Sequence, residues 1–403
     1  MTIMFLSLTL HPVSCLAEGS IKIGVIDTFS GPAAVFGKPA LVGWKMAAEE
    51  INSSGGLNGL RIEVIARDDE FTDDKARAAA EELISKEQVD FLGGTTSSGC
   101  ALAISEVARE NKKIFMVHVA RSDRITGEKG HRYVFRAAPN SVIDGKSGAR
   151  YAKYKGYLKW FIIGEDYDYG RSIAENFWQE FVKLQPKAEK LGEAWVPLKT
   201  EDFTPSIREM MKKPTSAVYL AIGVSGMARY MKQAAEAGGL EKIRSFLVLL
   251  PDPVMVQSVA DTPLGDNIFG STSYLWYYPN TLANKEFVQK YMELEKKEGT
   301  SNPIPPGTSV FGGYCSARFL AEAIKKAGSL DTEKVVNALE GITIQTPIGP
   351  ITMRACDHQA LTPTYWGRVQ NTRGFILPSL MSPYDVVPAD LLPRCDEIIS
   401  SRK

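Results

Sequence analysis

A pair of glycines followed by four hydroxyl side chains is the segment of this chain best suited to binding an anion. A short apolar stretch leads into Gly93 and Gly94, and the hydroxyls occupy positions 95–98, just before an apolar helical pattern. The first N–H groups of a helix lack partners within the helix, and the helix dipole is positive there. Together with hydroxyl donors, these groups favour a carboxylate or another anion. We therefore predict an anion site at Ser97 and Ser98, with plain helix capping as the alternative role of either serine.

The elements that must position this site alternate between strand and helix. Apolar stretches of strand length predict strands at 21–26, 61–66, 89–92, 114–119, 160–163, 188–196, 217–222 and 246–250. Helical periodicity predicts helices at 37–51, 75–85, 101–110, 143–154, 171–184, 205–211, 227–237, 285–298, 311–327 and 332–339. Such alternation is typical of an α/β fold with parallel sheets that helices cover on both faces. The series runs twice, so two α/β layers are expected in succession.

Composition and motifs exclude several classes of function. The 403 residues carry 47 Lys and Arg against 47 Asp and Glu, without the basic excess of a nucleic-acid-binding protein. The chain lacks the G-x-S-x-G turn of α/β-hydrolases, and residues 27–32 lack a dinucleotide-binding glycine pattern. The triplet at 356–358 (Cys-Asp-His) has no second half that would complete a metal site. We predict no catalysis, no cofactor and no metal.

The first residues predict export. Positions 1–17 contain a short apolar block and small residues suited to cleavage, and the first basic residue is Lys22. We interpret this segment as a truncated signal peptide, which predicts a periplasmic protein. Cys15 is preceded by a sequence that poorly matches a lipid-attachment site, so lipid anchoring is not expected.

Four cysteines remain after such a cleavage, and an exported chain permits disulfides. Cys356 and Cys395 both lie in the loop-rich C-terminal region, and we predict that they pair. Cys100 and Cys315 lie in apolar helical patterns and are expected to be buried thiols.

Several short motifs, taken in order, resemble a known family. They lie at 23–25, 30–34, 50–52, 55–59, 68–69, 93–98, 120, 125–126, 169–170, 238–240 and 357–359. In this order and spacing they resemble periplasmic binding proteins of the branched-chain amino-acid (leucine/isoleucine/valine) type, over nearly all of the chain.

The resemblance implies a type I periplasmic binding fold, in which two α/β lobes are joined by three crossover strands and the ligand lies between them. Here the crossovers would lie near 138–139, 270–273 and 346–349. Lobe 1 would then comprise 21–138 plus 274–345, and lobe 2 would comprise 139–270 plus 350–403.

The resemblance also implies roles for residues that hold the ligand's charged groups. Ser97 matches the serine that holds the ligand carboxylate, and Ala120 matches a position whose carbonyl faces the ligand ammonium. Arg121 stands where amino-acid binders usually carry threonine; it would welcome a second carboxylate, or alternatively form a surface ion pair. Asp252 lies near the position of the acidic residue that binds the ligand's ammonium group in the family, and a helix N-cap is its alternative role.

Three further positions would surround the ligand body. Phe36 and Tyr169 match aromatic positions of the family, with Tyr169 closing from lobe 2. Gly223 replaces another aromatic residue and would leave extra room. The aromatic cluster at 274–278 would mostly pack beneath a loop.

The expected function is that of a periplasmic solute-binding protein of an ABC importer. Its partners would be a small carboxylate ligand and the permease, and it would act as a monomer. The ligand would be an amino acid, possibly branched-chain; Arg121 and Gly223 favour the alternative of an aromatic or other organic acid. A ligand-sensing receptor module is the alternative from another class.

Overall fold

Two largely parallel sheets form the framework of the computed structural model, which describes residues 19–248, 253–258, 266–373, 375, 377–386 and 388–402. The strands are β1 (Ser20–Asp27), β2 (Arg61–Asp68), β3 (Phe91–Gly94), β4 (Phe115–Val117), β5 (Val134–Arg136), β6 (Lys159–Glu165), β7 (Glu189–Val196), β8 (Ala217–Ala221), β9 (Ser245–Val248), β10 (Ile268–Thr272), β11 (Thr343–Thr346), β12 (Gly349–Thr352), β13 (Thr364–Gln370) and β14 (Ser379–Val386). The helices are α1 (Ala34–Ser53), α2 (Asp73–Ser85), α3 (Ser98–Glu110), α4 (Ser141–Lys155), α5 (Asp168–Leu184), α6 (Thr204–Met211), α7 (Val224–Glu236), α8 (Gly239–Lys242), α9 (Pro253–Ser258), α10 (Leu282–Lys297), α11 (Thr308–Ala327), α12 (Thr332–Leu339) and α13 (Cys395–Ser401).

The first sheet has the strand order β2-β1-β3-β4-β5, and all its pairs are parallel. The second has the order β14-β13-β10-β9-β8-β6-β7, in which β13 runs antiparallel to both neighbours. Helices cover the sheets, as the alternating pattern predicts, so the α/β fold class is confirmed. Within the described residues, no helix is both long and apolar enough to span a bilayer.

Helices from the C-terminal half complete the core of the first sheet. α11 packs along α1, and glycines make the close approach possible: a Cβ on Gly43 would overlap the carbonyl oxygen of Val310. Tyr274 stacks on Phe311 with ring centroids 4.8 Å apart, and its hydroxyl donates to Asn284. The aromatic residues that follow β10 therefore contribute to packing, as expected for most of that cluster.

The return of the chain to the second sheet differs from the sequence expectation. Residues 346–349, expected to form a crossover, make the turn of the antiparallel hairpin β11–β12. Ile344 and Ile351 lie buried in the core of the first sheet, so apolar burial holds the hairpin there. The chain next pairs within the second sheet at β13.

A buried arginine joins two of the connections between the sheets. Arg136 ends β5, a three-residue strand that the sequence did not predict, and it is fully buried. Its Nε donates to Gln359 Oε1 at 2.7 Å, and the Gln359 amide donates to the Ala138 carbonyl at 2.7 Å. Burial lowers the pKa of Arg136 to about 10. These bonds fix the segment after β5 against the segment before β13.

A disulfide closes the C-terminal region. Cys356 and Cys395, the pair chosen from the sequence, are bonded, with Cα atoms 5.7 Å apart. The other two cysteines of the described chain, Cys100 and Cys315, are buried thiols.

Replacing both bridged cysteines by serine is expected to lower the free energy of unfolding. The bridge spans a sequence separation of 39 residues, for which loop entropy gives about 4 kcal/mol. Urea unfolding with and without dithiothreitol measures the effect. The double variant should be insensitive to the reductant, and an equal midpoint shift in both proteins would contradict the prediction.

Candidate ligand-binding site

A cavity of about 100 Å³ lies where the carboxyl ends of strands from both sheets meet. Ligands of open α/β sheets bind at such strand ends. Connections of the first sheet contribute Phe36, Phe71, Thr96, Ser97, Ser98 and Arg121 to its lining. Connections of the second sheet contribute Glu165, Tyr167, Tyr169, Leu198 and Gly223. A compact ligand would therefore touch both halves of the molecule.

The hydroxyl segment predicted from the sequence forms one end of this cavity. Ser97 is the N-cap of α3, and its Oγ accepts from the Cys100 N–H at 3.3 Å. Ser98 Oγ accepts from the Ser122 N–H at 3.1 Å. Thr96 Oγ1 is buried and has no hydrogen-bond partner within the described structure. Capping and cavity lining thus coincide at Ser97, whose own O–H can still donate.

A buried aspartate holds this segment in place. Asp27 Oδ1 accepts from the backbone N–H groups of Thr28 and Thr96, both at 2.8 Å. Its Oδ2 lies 2.6 Å from His118 Nε2, and Trp44 Nε1 donates to His118 Nδ1 at 2.9 Å. An indole N–H can only donate, so Nδ1 is the acceptor and the Nε2–H points at Asp27.

A second buried carboxyl group lies beside the first. Asp69 accepts from the Thr28 hydroxyl at 2.6 Å through Oδ1, and its Oδ2 lies 2.5 Å from Thr95 Oγ1. Burial, together with the negative charge of Asp27, raises the pKa of Asp69. The Thr95 hydroxyl, the donor to Asp69 Oδ2, also lies 3.1 Å from Asp27 Oδ1, so it lies between the two carboxyl groups.

The next connection carries the positions expected to face an ammonium group. The carbonyl of Ala120 lies 3.4 Å from the buried Arg136 Nη1, and its two neighbours in sequence contribute to the cavity lining. Arg121 lies in that lining, and its Nη1 forms an ion pair with Asp144 at 2.7 Å. Its Nη2 also lies 3.4 Å from Ser273 Oγ. Arg121 thus contributes to the lining while its guanidinium is engaged by a carboxylate of the second half of the molecule.

Aromatic side chains enclose the cavity. Phe36 is 5% exposed and packs within the core of the second sheet, although it belongs to α1. Tyr169 and Tyr167 face the cavity from the start of α5, with ring centroids 5.8 Å apart. Their faces suit an apolar or aromatic ligand body.

The room expected beside Gly223 is filled by polar groups. A Cβ at Gly223 would lie 2.8 Å from Tyr167 Oη and 2.9 Å from Glu165 Oε2. The absence of a side chain here accommodates a carboxyl group and a hydroxyl, so this end of the cavity is polar.

Glu165 is a cavity residue that sequence reasoning missed. It ends β6, is fully buried, and accepts from the Gly223 N–H at 2.7 Å through Oε2. Burial raises its pKa from the usual 4.5 to about 7, although this hydrogen bond and the charge of Arg229 act in the opposite direction. The available signal was an acidic residue directly after a buried apolar strand.

Asp252, expected near the ammonium, lies outside the described residues. Within the described part of the chain, no cluster of three or more His, Cys, Asp or Glu could hold a metal ion. A larger, open groove of about 1140 Å³ runs along α1 and α10, and its lining mixes apolar residues such as Leu41 and Leu294 with Lys and Glu side chains.

Comparison with known proteins places the chain among transport proteins. A family model described as "Periplasmic binding protein" matches residues 20–374. A Leu/Ile/Val-binding protein homolog 7 from Brucella suis is 29% identical over 343 residues, covering 82% of this chain and 83% of the homolog.

Solved structures agree with this match. The structure of an ABC-type branched-chain amino acid transporter protein from Rhodopseudomonas palustris CGA009 has a TM-score of 0.75 at 28% identity, covering 95% of this chain and 100% of that protein. An ABC transporter solute-binding protein from Rhodopseudomonas palustris BisB5, in complex with 3,4-dihydroxybenzoic acid, has a TM-score of 0.80 at 25% identity and covers 92% and 98%.

The raised pKa of Glu165 predicts a pH-dependent stability. Because the folded-state pKa lies above the unfolded value, the wild type should lose stability as the pH rises from about 4.5 to about 7. Glu165→Gln keeps an oxygen acceptor for Gly223 but does not titrate. The melting temperature of this variant relative to wild type should therefore be higher at pH 8 than at pH 5. Glu110→Gln, at an exposed site, is the control; equal pH profiles for wild type and Glu165→Gln would contradict the prediction.

Proposed function

The chain belongs to the periplasmic binding protein family, and from that premise we propose that it is the solute-binding protein of an ABC importer, capturing a small carboxylate-bearing ligand. The observation that carries the proposal is the cavity in which the capped end of α3 faces the tyrosines of the second sheet. Ser97, Ser98 and Thr96 supply hydroxyl groups for a carboxylate. Each hydrogen bond to a charged group contributes about 1.5–3 kcal/mol.

Capture proceeds by closure of two lobes around the ligand. We assign 21–138 plus 274–352 to lobe 1, because the hairpin β11–β12 packs on the first sheet, and 139–270 plus 364–403 to lobe 2. A ligand can shift an open–closed equilibrium only through contacts that differ between the two states. A carboxylate held at Ser97 on one side and a body covered by Tyr169 on the other supply such contacts.

Two ligand types fit the site. An amino acid, possibly branched-chain, would use the Ala120 carbonyl and Asp252 for its ammonium group. An aromatic or other organic acid needs the carboxylate site and the aromatic enclosure alone. The position of Arg121 in the lining and the bond from Arg136 to the Ala120 carbonyl favour the acid, because both place cations near the site of an ammonium group. The similarity to the dihydroxybenzoate-bound solute-binding protein supports the same choice.

The remaining parts of the proposal follow from this role. The protein acts in the periplasm after removal of residues 1–17, as a monomer that delivers its ligand to the membrane permease. It carries out no covalent chemistry and uses no cofactor.

A thermal-shift screen should identify the ligand class. The panel contains leucine, phenylalanine, glutamate, benzoate and 4-hydroxybenzoate. A ligand at 100 times its Kd stabilises the folded state by about 2.7 kcal/mol, which gives a clear rise in melting temperature. Failure of every amino acid and acid in such a panel to raise it would refute the proposed function.

Ser97→Ala should weaken binding of the identified ligand about 10- to 100-fold, because it removes one hydrogen bond to a carboxylate. Calorimetric titration gives the Kd. Thr281→Ala is a matched control, since Thr281 caps α10 through the same kind of bond, at 3.2 Å to the Asn284 N–H. Both variants should lose stability, while only the first loses affinity; unchanged affinity in Ser97→Ala would reduce its role to capping.

A further inference from the structure

One carboxyl oxygen of the cavity residue Glu165 has no hydrogen-bond partner within the part of the chain that the structure describes. Glu165 is fully buried and lines the cavity, and its Oε2 is satisfied by the Gly223 N–H at 2.7 Å. Its Oε1 is buried without a hydrogen-bond partner among the described residues. Buried polar atoms are nearly always paired, and an unpaired one in a binding cavity is an acceptor that a ligand can satisfy.

This oxygen lies at the start of α7, where Ile222 and Phe203 offer no hydrogen-bond donor from their side chains. A Cβ at Gly226 would lie 2.7 Å from Glu165 Oε1, which places the oxygen over the first turn of α7. The hydroxyl of Tyr167 lies close to the same helix start, 2.8 Å from a Cβ built on Gly223. An aliphatic ligand end placed here would leave the carboxyl oxygen unsatisfied.

The two polar groups belong to opposite sides of the cavity. The hydroxyls of Thr96 and Ser97 follow β3 of the first sheet, whereas Glu165 ends β6 of the second. Aromatic rings, among them Phe36 and Tyr169, enclose the space. The lining therefore presents an anion site, an aromatic enclosure and a hydrogen-bonding carboxyl group.

Building on the proposed capture of a carboxylate, we propose that Glu165 is a specificity-determining residue that binds a hydroxyl group on the ligand through Oε1. The ligand class is a hydroxylated aromatic carboxylate. Its carboxylate lies at the start of α3 and its hydroxyl against the start of α7.

A hydroxyl suits Glu165 better than an ammonium group. The cations near the cavity, Arg121 in its lining and Arg136 beside the Ala120 carbonyl, disfavour a third positive charge. The pKa of Glu165, raised by burial, leaves the group protonated in much of the protein near neutral pH, and the ligand carboxylate would raise it further. A hydroxyl can donate to the ionised carboxylate or accept from the protonated acid, so it pairs with either form.

Paired ligands and variants test this assignment. Calorimetry would give the Kd of benzoate, 3-hydroxybenzoate and 4-hydroxybenzoate for wild type, Glu165→Gln and Glu165→Leu. We define the hydroxyl preference as the Kd of benzoate divided by the Kd of the tighter hydroxybenzoate. It should be at least about tenfold in wild type, because a buried acceptor left unpaired disfavours the analogue that lacks the hydroxyl.

The two variants should differ in their hydroxyl preference. Glu165→Gln offers an amide that can bond a hydroxyl and should keep the preference within about threefold of wild type. Glu165→Leu should lower it to about one while still binding benzoate, which also shows that the variant is folded. The smaller Glu165→Ala replaces it if it does not fold.

Three results would overturn the assignment. The first is a preference that is the same in wild type and Glu165→Leu, and the second is a preference that disappears in Tyr167→Phe but survives in Glu165→Leu. The third is leucine or phenylalanine binding wild type and weakening more than tenfold in Glu165→Gln, which would show that Glu165 holds an ammonium group. Binding of benzoate without a hydroxyl preference contradicts this inference alone, whereas failure of every carboxylate to bind refutes the proposed function beneath it.

Discussion

The binding end of the molecule depends on the carboxyl group of Asp27. It gathers the N–H groups of Thr28 and Thr96 and the imidazole of His118, which in turn accepts from Trp44. The side chains of Asp27, His118, Trp44 and Thr95 are all buried. Their hydrogen bonds therefore lie in a medium of low dielectric constant, where losing one is costly. Because Thr96 directly precedes Ser97, the hydrogen bonds to Asp27 fix the backbone at the start of α3 and so the direction of its hydroxyl groups. Preorganisation of this kind reduces what a ligand must order when it binds.

Buried polar groups also hold the connections between the two sheets in place. Arg136 donates to Gln359 and to the Ser122 carbonyl, so one guanidinium fixes two connections and the segment that carries Arg121. Ion pairs then join the connection after β4 to helices of the second sheet: Arg121 with Asp144, and Arg124 with Asp168 at 2.7 Å. Arg121 also lines the cavity, so its ion pair joins the two halves of the molecule next to the candidate ligand site.

Sequence reasoning succeeded where the signal is local. The N-terminus of α3 is specified by a few consecutive residues, and helix capping at Ser97 follows from their types. Glu165 could not be assigned in this way, since its role depends on the pairing of β6 with β8, which brings Gly223 beside it from 58 residues away. Residues 346–349, which the resemblance to the family places at a crossover, form the turn of β11–β12 instead, because Ile344 and Ile351 are buried against the first sheet. Register and packing, rather than propensity, decide such cases.

The anion site proposed at the start of α3 lies close to two buried carboxyl groups, Asp27 and Asp69, and negative charge on them would repel a carboxylate ligand. Burial raises the pKa of Asp69, which disfavours its charged form and so reduces this repulsion. The Asp27 carboxyl group is surrounded by donors, the N–H groups of Thr28 and Thr96 and the His118 imidazole. The positive end of α3 begins at Ser97 and Ser98, which line the cavity themselves, whereas Asp27 does not, so the helix terminus favours an anion there. At the opposite end, burial likewise favours the neutral form of Glu165. Burial thus raises the pKa of an acidic group near each end of the cavity, Asp69 behind the start of α3 and Glu165 in the lining, and in both cases it disfavours the charge that would oppose an anion.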